Sequence, residues 1–192
     1  MDISIQSNIK SITRQWRGLH KNTVIKATVS SLNKMGNEVM SKSVKELSQA
    51  TGVKPQKKIR SQMKLYKASR NRLDALIRLK GKYLNLVEFN ARQTKKGVRH
   101  KAWNRSQLAK GAFIASGRNS GKQLVFARKT QKRLPIRGLV GPSLPNEYFK
   151  SNIDKNMNRL IGKRFNVLFE RDLEFYFRRS MRKDKVVGLF VN

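Results

Sequence analysis

Three of the chain's four prolines fall within Lys132–Pro145, KRLPIRGLVGPSLP, and no other stretch restricts the backbone as strongly. Pro135, Pro142 and Pro145 each fix φ and lack an amide donor, whereas Gly138 and Gly141 admit angles that other residues resist. Regular secondary structure is therefore expected to stop here. Leu134, Ile136, Leu139, Val140 and Leu144 still require cover, so the stretch reads as a packed corner rather than a solvated linker. A connection between a strand and a helix meets that requirement, and so does a contact between subunits. The residues assigned to the corner, in either role, are Leu134, Pro135, Ile136, Gly141, Pro142 and Pro145.

Before the corner, the hydrophobic spacing changes from helical to alternating near Arg72. Ile5, Ile9, Ile12 and Trp16 recur at intervals of three and four, the stripe of a short amphipathic helix over Met1–Trp16 that packs on its own domain or on a neighbour. Asn22–Ala50 reads as a helix capped by Asn22 or Thr23, with Ile25, Leu32, Met35, Val39 and Leu47 on one side and Gly52 closing it. Lys54–Ala68 predicts a second helix, with Pro55 in its first turn and Ile59, Met63 and Tyr66 as its apolar face. Strands are then predicted at Leu73–Leu79, Tyr83–Asn90, Val98–Trp103, Gly111–Ser116 and Gln123–Lys129.

After the corner, Ser143 and Pro145 start a helix whose stripe runs from Phe149 through Ile153, Met157, Phe165 and Leu173 to Phe177. Continued to Arg182 it would be roughly 55 Å long at ~1.5 Å per residue, more than a sheet in a domain this size needs, which leaves length for an oligomer. Gly162 is the place where it can bend. Glu170, Asp172 and Glu174 have Arg171, Arg178 and Arg179 as near partners, or a basic face of a neighbouring subunit. Val186–Val191 reads as a strand-like end that adds an edge to its own sheet or to an adjacent subunit. The expected fold is α+β: N-terminal helices, a central and mostly antiparallel sheet of about five strands, and a long C-terminal amphipathic helix. Residues 1–22 form an arm, 23–183 a single domain, and 184–192 an extension.

Charge bounds the partners. The chain carries 44 Lys and Arg against 11 Asp and Glu, a formal net charge of +33. Such self-repulsion in a compact fold calls for a polyanion or an acidic protein partner. An anionic membrane is the weaker candidate, since no run approaches the ~18–20 apolar residues of a spanning helix. The absence of cysteine excludes disulfides and thiolate metal sites and fits a cytoplasmic or virion protein. No basic region followed by an apolar one opens the chain, so no secretion signal is expected. Between Glu88 and Glu147 there is no acidic residue, while cations accumulate; Arg92, Lys95, Lys96, Arg99, Lys101, Arg118, Lys122, Arg128, Lys129 and Arg133 are assigned to the face that meets the anionic partner. Contacts of this kind hold phosphate without reading bases. Trp103 and Phe113 are available for stacking on bases, although aromatic residues in strands more often fill a core.

Catalytic chemistry finds little support. His20 and His100 stand among cations and lack metal-ligand spacing, and Asp172 and Glu174, two apart, point to different faces of a helix. No phosphate-binding loop, nucleophile elbow or dinucleotide fingerprint is present. The expectation is a protein that is not an enzyme and has no catalytic residue, no metal and no cofactor.

Three short segments, in order, carry a family resemblance: Ala91–Val98 (ARQTKKGV), Gly111–Ala115 (GAFIA), and Arg133–Arg137 (RLPIR) followed by Gly141-Pro142-Ser143 and Pro145. Together they resemble the prophage minor tail protein Z family of long-tailed bacteriophages, over roughly Thr23 to Lys183. The resemblance implies a structural virion protein acting in tail completion at the head-proximal end, where head and tail join and the genome end is positioned. It also implies a homo-oligomeric ring, six subunits by analogy with tail symmetry, and partners among the tail terminator, head-completion and tape-measure proteins. Viral DNA would pass through the lumen, and the host cytoplasm would hold the protein during assembly. The basic composition alone favours a cellular, sequence-independent nucleic-acid-binding protein of the ribosome-associated kind; such a protein stays monomeric and orders its basic loops on RNA.

Overall fold

The computed structural model describes residues 2–6, 21–54, 56–81, 83–116 and 121–188, with side chains in 22–54, 56–81, 83–116 and 121–181. The chain divides into two compact units. A strand-rich unit comprises Lys42–Met63 and Leu79–Asp154, and a helical unit comprises Asp2–Ser41, Lys64–Arg78 and Lys155–Asn192.

In the helical unit, the N-terminal part of helix α1 (Lys21–Thr51) and most of the long helix α4 (Ile153–Gly188) accompany a sheet of order β1 (Asp2–Gln6), β3 (Asp74–Leu79), β2 (Met63–Tyr66). Most of the apolar stripes anticipated for both helices is core: Leu32, Met35 and Val39 from α1, joined by Val24 and Ala27, and Met157, Phe165, Leu168, Phe169 and Leu173 from α4 are buried, whereas Phe177, at the end of the second stripe, is exposed. Ala75 and Ile77 of β3 complete the core. Gly36 lets the sheet approach α1, since a Cβ there would lie 2.9 Å from Leu65 Cδ1.

The strand-rich unit holds three small antiparallel sheets. β4 (Tyr83–Asn85) pairs with β11 (Val140–Ser143); β5 (Arg92–Thr94), β6 (Gly97–His100) and β7 (Gln107–Lys110) form the second; β8 (Ala112–Ser116), β9 (Gln123–Arg128) and β10 (Ile136–Gly138) form the third. A short helix α2 (Gln56–Arg60) and a second, α3 (Leu144–Lys150), join the C-terminal end of α1. Tyr148 of α3 is fully buried, and its hydroxyl lies 3.3 Å from Ser43 Oγ on α1. Burial raises the Tyr148 pKa above its ordinary value.

Two side-chain amides bind the sheets where backbone pairing is missing. Asn85 Oδ1 accepts from Val87 N at 3.1 Å and Val125 N at 2.8 Å, and its Nδ2 donates to Val125 O at 3.2 Å, so β4 is tied to β9. Gln93 does the same between β5 and β8: Oε1 accepts from Ile114 N at 2.9 Å, and Nε2 donates to Ala112 O.

The fold class is the expected one, and several elements differ in type. The single sheet of about five strands is broken into small sheets, because the expected strands Tyr83–Asn90 and Val98–Trp103 give way to 3₁₀ turns at Leu86–Phe89 and Ala102–Asn104. Asn90, Trp103 and Asn104 are left-handed, which ends extended pairing at each place. The helix expected over Lys54–Ala68 stops at Arg60, and Met63–Tyr66 is β2, captured by the free edge of β3. Asp2–Gln6 is a strand rather than a helix, in register with β3 from Asp2↔Arg78 to Gln6↔Asp74; the rest of the expected N-terminal helix lies outside the described residues. The C-terminal helix is interrupted at Ser151 and at left-handed Asn152, not at Gly162. The strand-like extension expected over 184–192 is helical through Gly188, and 189–192 lie outside the described residues.

The proline corner does carry regular structure. Leu134–Pro135 is a cis peptide, and β10 and β11 follow it, stitched by Leu139, whose N–H donates to Val125 O at 2.8 Å and whose carbonyl accepts from Leu86 N at 3.0 Å. Pro135 precedes β10, and Pro142 sits where the β4–β11 register shifts, positions at which a missing amide breaks no ladder.

Candidate anionic-partner surface

Sequence assigned ten cations to one surface; the structure describes nine of them, all exposed, and Arg118 lies outside the described residues. They form two groups within the strand-rich unit. The first is built on the β5–β6 hairpin. Arg92 and Arg99 are direct cross-strand partners, so their side chains leave the same face side by side, while Gln93 and buried Val98 take the other. Lys95 and Lys96 form the hairpin tip. Gly97, at φ 142°, lets β7 pass close beside β6, since a Cβ there would collide with the Ala109 carbonyl. Lys101 follows β6 directly.

Arg92, Arg99 and Lys101 line a cleft of about 370 Å3 with Asn90, His100 and Ser106, and no carboxylate is among its walls. Among the described residues neither arginine forms an ion pair. His100 is buried, and burial lowers its pKa below the ordinary imidazole value. Its Nδ1 accepts from Ala102 N at 3.4 Å, so the ring serves the β6 terminus rather than adding charge. Three cations with amide and hydroxyl donors around a hollow free of carboxylate suit phosphate oxygens.

The second group is dispersed. Lys122 precedes β9 and Arg128 ends it, which separates them by roughly 20 Å at ~3.3 Å per residue. Lys129 and Arg133 stand on the loop that Lys129 N closes onto Pro135 O at 3.0 Å. Phe113 is engaged from within: its ring lies 6.1 Å from Phe126, and the Arg128 guanidinium stands 5.8 Å above it. Trp103 is 39% exposed and held in a left-handed conformation, its indole N–H donating to buried Glu147 Oε1 at 3.0 Å.

The corner residues separate by exposure. Gly141, Pro142 and Leu144 are buried and Pro145 is half-buried; a Cβ at Gly141 would lie 2.5 Å from the Phe89 ring. Leu134 (66%) and Val140 (55%) are exposed, as are Pro135 and Ile136, contrary to the expected cover. The short β10 has no further strand to close over it in the described residues.

Sequence reading overlooked a third basic region, in the helical unit, where Lys26, Arg70 and Arg179 surround Tyr176. These positions are far apart in the chain, and no local spacing signals their meeting.

Among the described residues no group of three or more His, Cys, Asp or Glu is placed to hold a metal ion, and no helix is long and apolar enough to cross a membrane. The class that fold and surface define is an α+β protein whose distinguishing chemistry is exposed positive charge on short sheets and long helices. The model of the family prophage minor tail protein Z matches residues 8–183 of the 192, and the chain belongs to that family. It is thus a structural protein of a bacteriophage tail, a virion component that works among other tail components. No curated protein and no solved structure matches the chain.

Proposed function

We propose that this tail protein acts in tail completion at the head-proximal end, joining head to tail and holding the end of the genome, with the strand-rich unit presenting Arg92, Arg99 and Lys101 to viral DNA. The observation that carries the reading is the Arg92–Arg99 pair. Like charges placed directly across a ladder destabilise it, and no carboxylate in the cleft offsets them. An anionic partner removes that repulsion on binding. An acidic segment of the tape-measure protein would satisfy the same charges, and the salt dependence of binding to each separates the two.

The exposed edge at Leu134, Pro135, Ile136 and Val140 is the proposed subunit contact of a ring, six subunits by analogy with tail symmetry. The covered part of the corner, buried Gly141 and Pro142 and half-buried Pro145, keeps that edge in place. Neighbouring tail-terminator and head-completion proteins are the proposed partners on either side.

Electron microscopy of particles made when the gene carries an early stop codon tests the assignment. Heads and tails that form but fail to join, restored by added protein, are the expected result. Normal infectious particles would overturn it.

A further inference from the structure

The helical unit contains a basic hollow independent of the surface just described. Two adjoining clefts, of about 370 and 340 Å3, share Lys26 of α1, Arg70 and Tyr176 of α4, and Arg179 closes the second. Neither is lined by a carboxylate. Lys34, on the wall of the first, is already neutralised by Asp172 at 2.6 Å, and neighbouring Arg178 by Glu174. Among the described residues, Lys26, Arg70 and Arg179 form no ion pair.

The hollow is pre-organised. Asn33 on α1 donates from Nδ2 to Ala68 O at 3.1 Å and accepts from Ala68 N at 2.7 Å, fixing the segment after β2. Ser69 and Arg72 exchange backbone bonds of 2.8 and 3.2 Å, and Arg72 pairs with Asp74, so Arg70 projects from the tip of a closed turn. Tyr176 is half-buried, braced edge-on by Phe175 at 5.2 Å, and still lines both hollows. Uncompensated cations around a braced aromatic ring are the elements of a site that holds phosphates and stacks a base. Volumes near the lower end of the ~300–1,000 Å3 range for small-ligand pockets have room for one nucleotide unit at a time.

We propose that this hollow binds the phosphodiester backbone of a single-stranded nucleic acid, with Lys26, Arg70 and Arg179 on phosphates and Tyr176 as the stacking platform. The site lies on other residues than the cleft of Arg92 and Arg99 and does not rest on the assembly role proposed above.

The test is fluorescence anisotropy of the full chain with labelled oligothymidylate and with a duplex of equal length. A chain of charge +33 attracts any polyanion, so the informative quantity is the ratio of the two affinities. Tyr176→Ala is expected to lower single-strand affinity about tenfold and duplex affinity much less, with Tyr176→Phe retaining it. Lys26→Gln with Arg70→Gln, both exposed and remote from the core, should reduce the single-strand salt slope by about 1.4 whether or not Tyr176→Ala folds. In the Arg92→Gln and Arg99→Gln background, Tyr176→Ala should still lower single-strand affinity about tenfold. Equal losses for both ligands, unchanged single-strand affinity, or competition by inorganic phosphate as effective as by the oligonucleotide would each overturn the proposal.

Discussion

Lys34 Nζ lies 2.6 Å from Asp172 Oδ1 and 2.8 Å from Oδ2, joining α1 to α4 inside the helical unit. The two ends differ: the Asp172 side chain is 4% exposed and that of Lys34 48%. Removing the lysine strands a carboxylate that water barely reaches, with Arg171 at 3.7 Å as its one remaining cation among the described residues. Lys34→Met should therefore cost about 2 kcal/mol, roughly 4–8 °C in Tm, while Lys34→Met with Asp172→Leu recovers most of it. Thermal melts of the single and double variants check this; a double variant no better than the single contradicts it.

Gly141 is needed for space rather than for an unusual angle. A Cβ would sit 2.5 Å from Cε2 of Phe89, whose ring is fully buried and has no room to retreat. Gly141→Ala is expected to destabilise by about 1–3 kcal/mol. Combined with Phe89→Leu, the total loss should be smaller than the sum of the two single losses, which denaturant titration of all three variants measures.

Asn85 acts as a substitute strand residue. Asn85→Leu leaves Val125 N–H, deep in the unit, without an acceptor and should cost about 1–3 kcal/mol. Asn85→Asp keeps that acceptor, and Val125 O still receives Leu139 N, so the loss should be smaller. Amide exchange at Val125 should accelerate in the leucine variant and much less in the aspartate variant.

Arg92→Gln with Arg99→Gln separates binding from stability. Relieving the like-charge pair should raise stability by roughly 0.2–1 kcal/mol, while the duplex-DNA salt slope falls by about 1.8 for two lost phosphate contacts. Filter binding across salt concentrations, beside a melt, reads both signs. An unchanged slope removes these arginines from the DNA surface.

His100 makes stability depend on pH in a defined direction. Its folded pKa is lowered by burial, so as pH falls below about 6.5 the unfolded chain takes up the proton first. Stability should thus decline as pH falls from the ordinary histidine value toward the folded one, and be fully present above it. His100→Asn should flatten that part of the Tm profile; a slope unchanged from the parent excludes His100 as its source.

Much of the candidate surface was legible in the sequence, and the reason is local. Arg92, Lys95, Lys96 and Arg99 fall on one hairpin, where the turn at Thr94–Gly97 brings neighbours in sequence to the same face. Lys122 and Arg128 were grouped with them by composition alone, yet the length of β9 holds them apart. Lys26, Arg70 and Tyr176 were invisible, because a helix, a turn and another helix meet only when the helical unit packs.

The sequence by itself determined the two long helices, the α+β class and the large positive net charge. Those depend on the 3.6-residue repeat of residues such as Leu32, Met35 and Val39, and on formal charge, which no packing alters. Tertiary structure alone decided that Met63–Tyr66 is a strand, that the proline corner carries β10 and β11, and that one broad sheet is several small ones. In each case a long-range partner, the edge of β3 or the Val125 backbone bonded to Asn85 and Leu139, supplied hydrogen bonds that local propensity cannot anticipate.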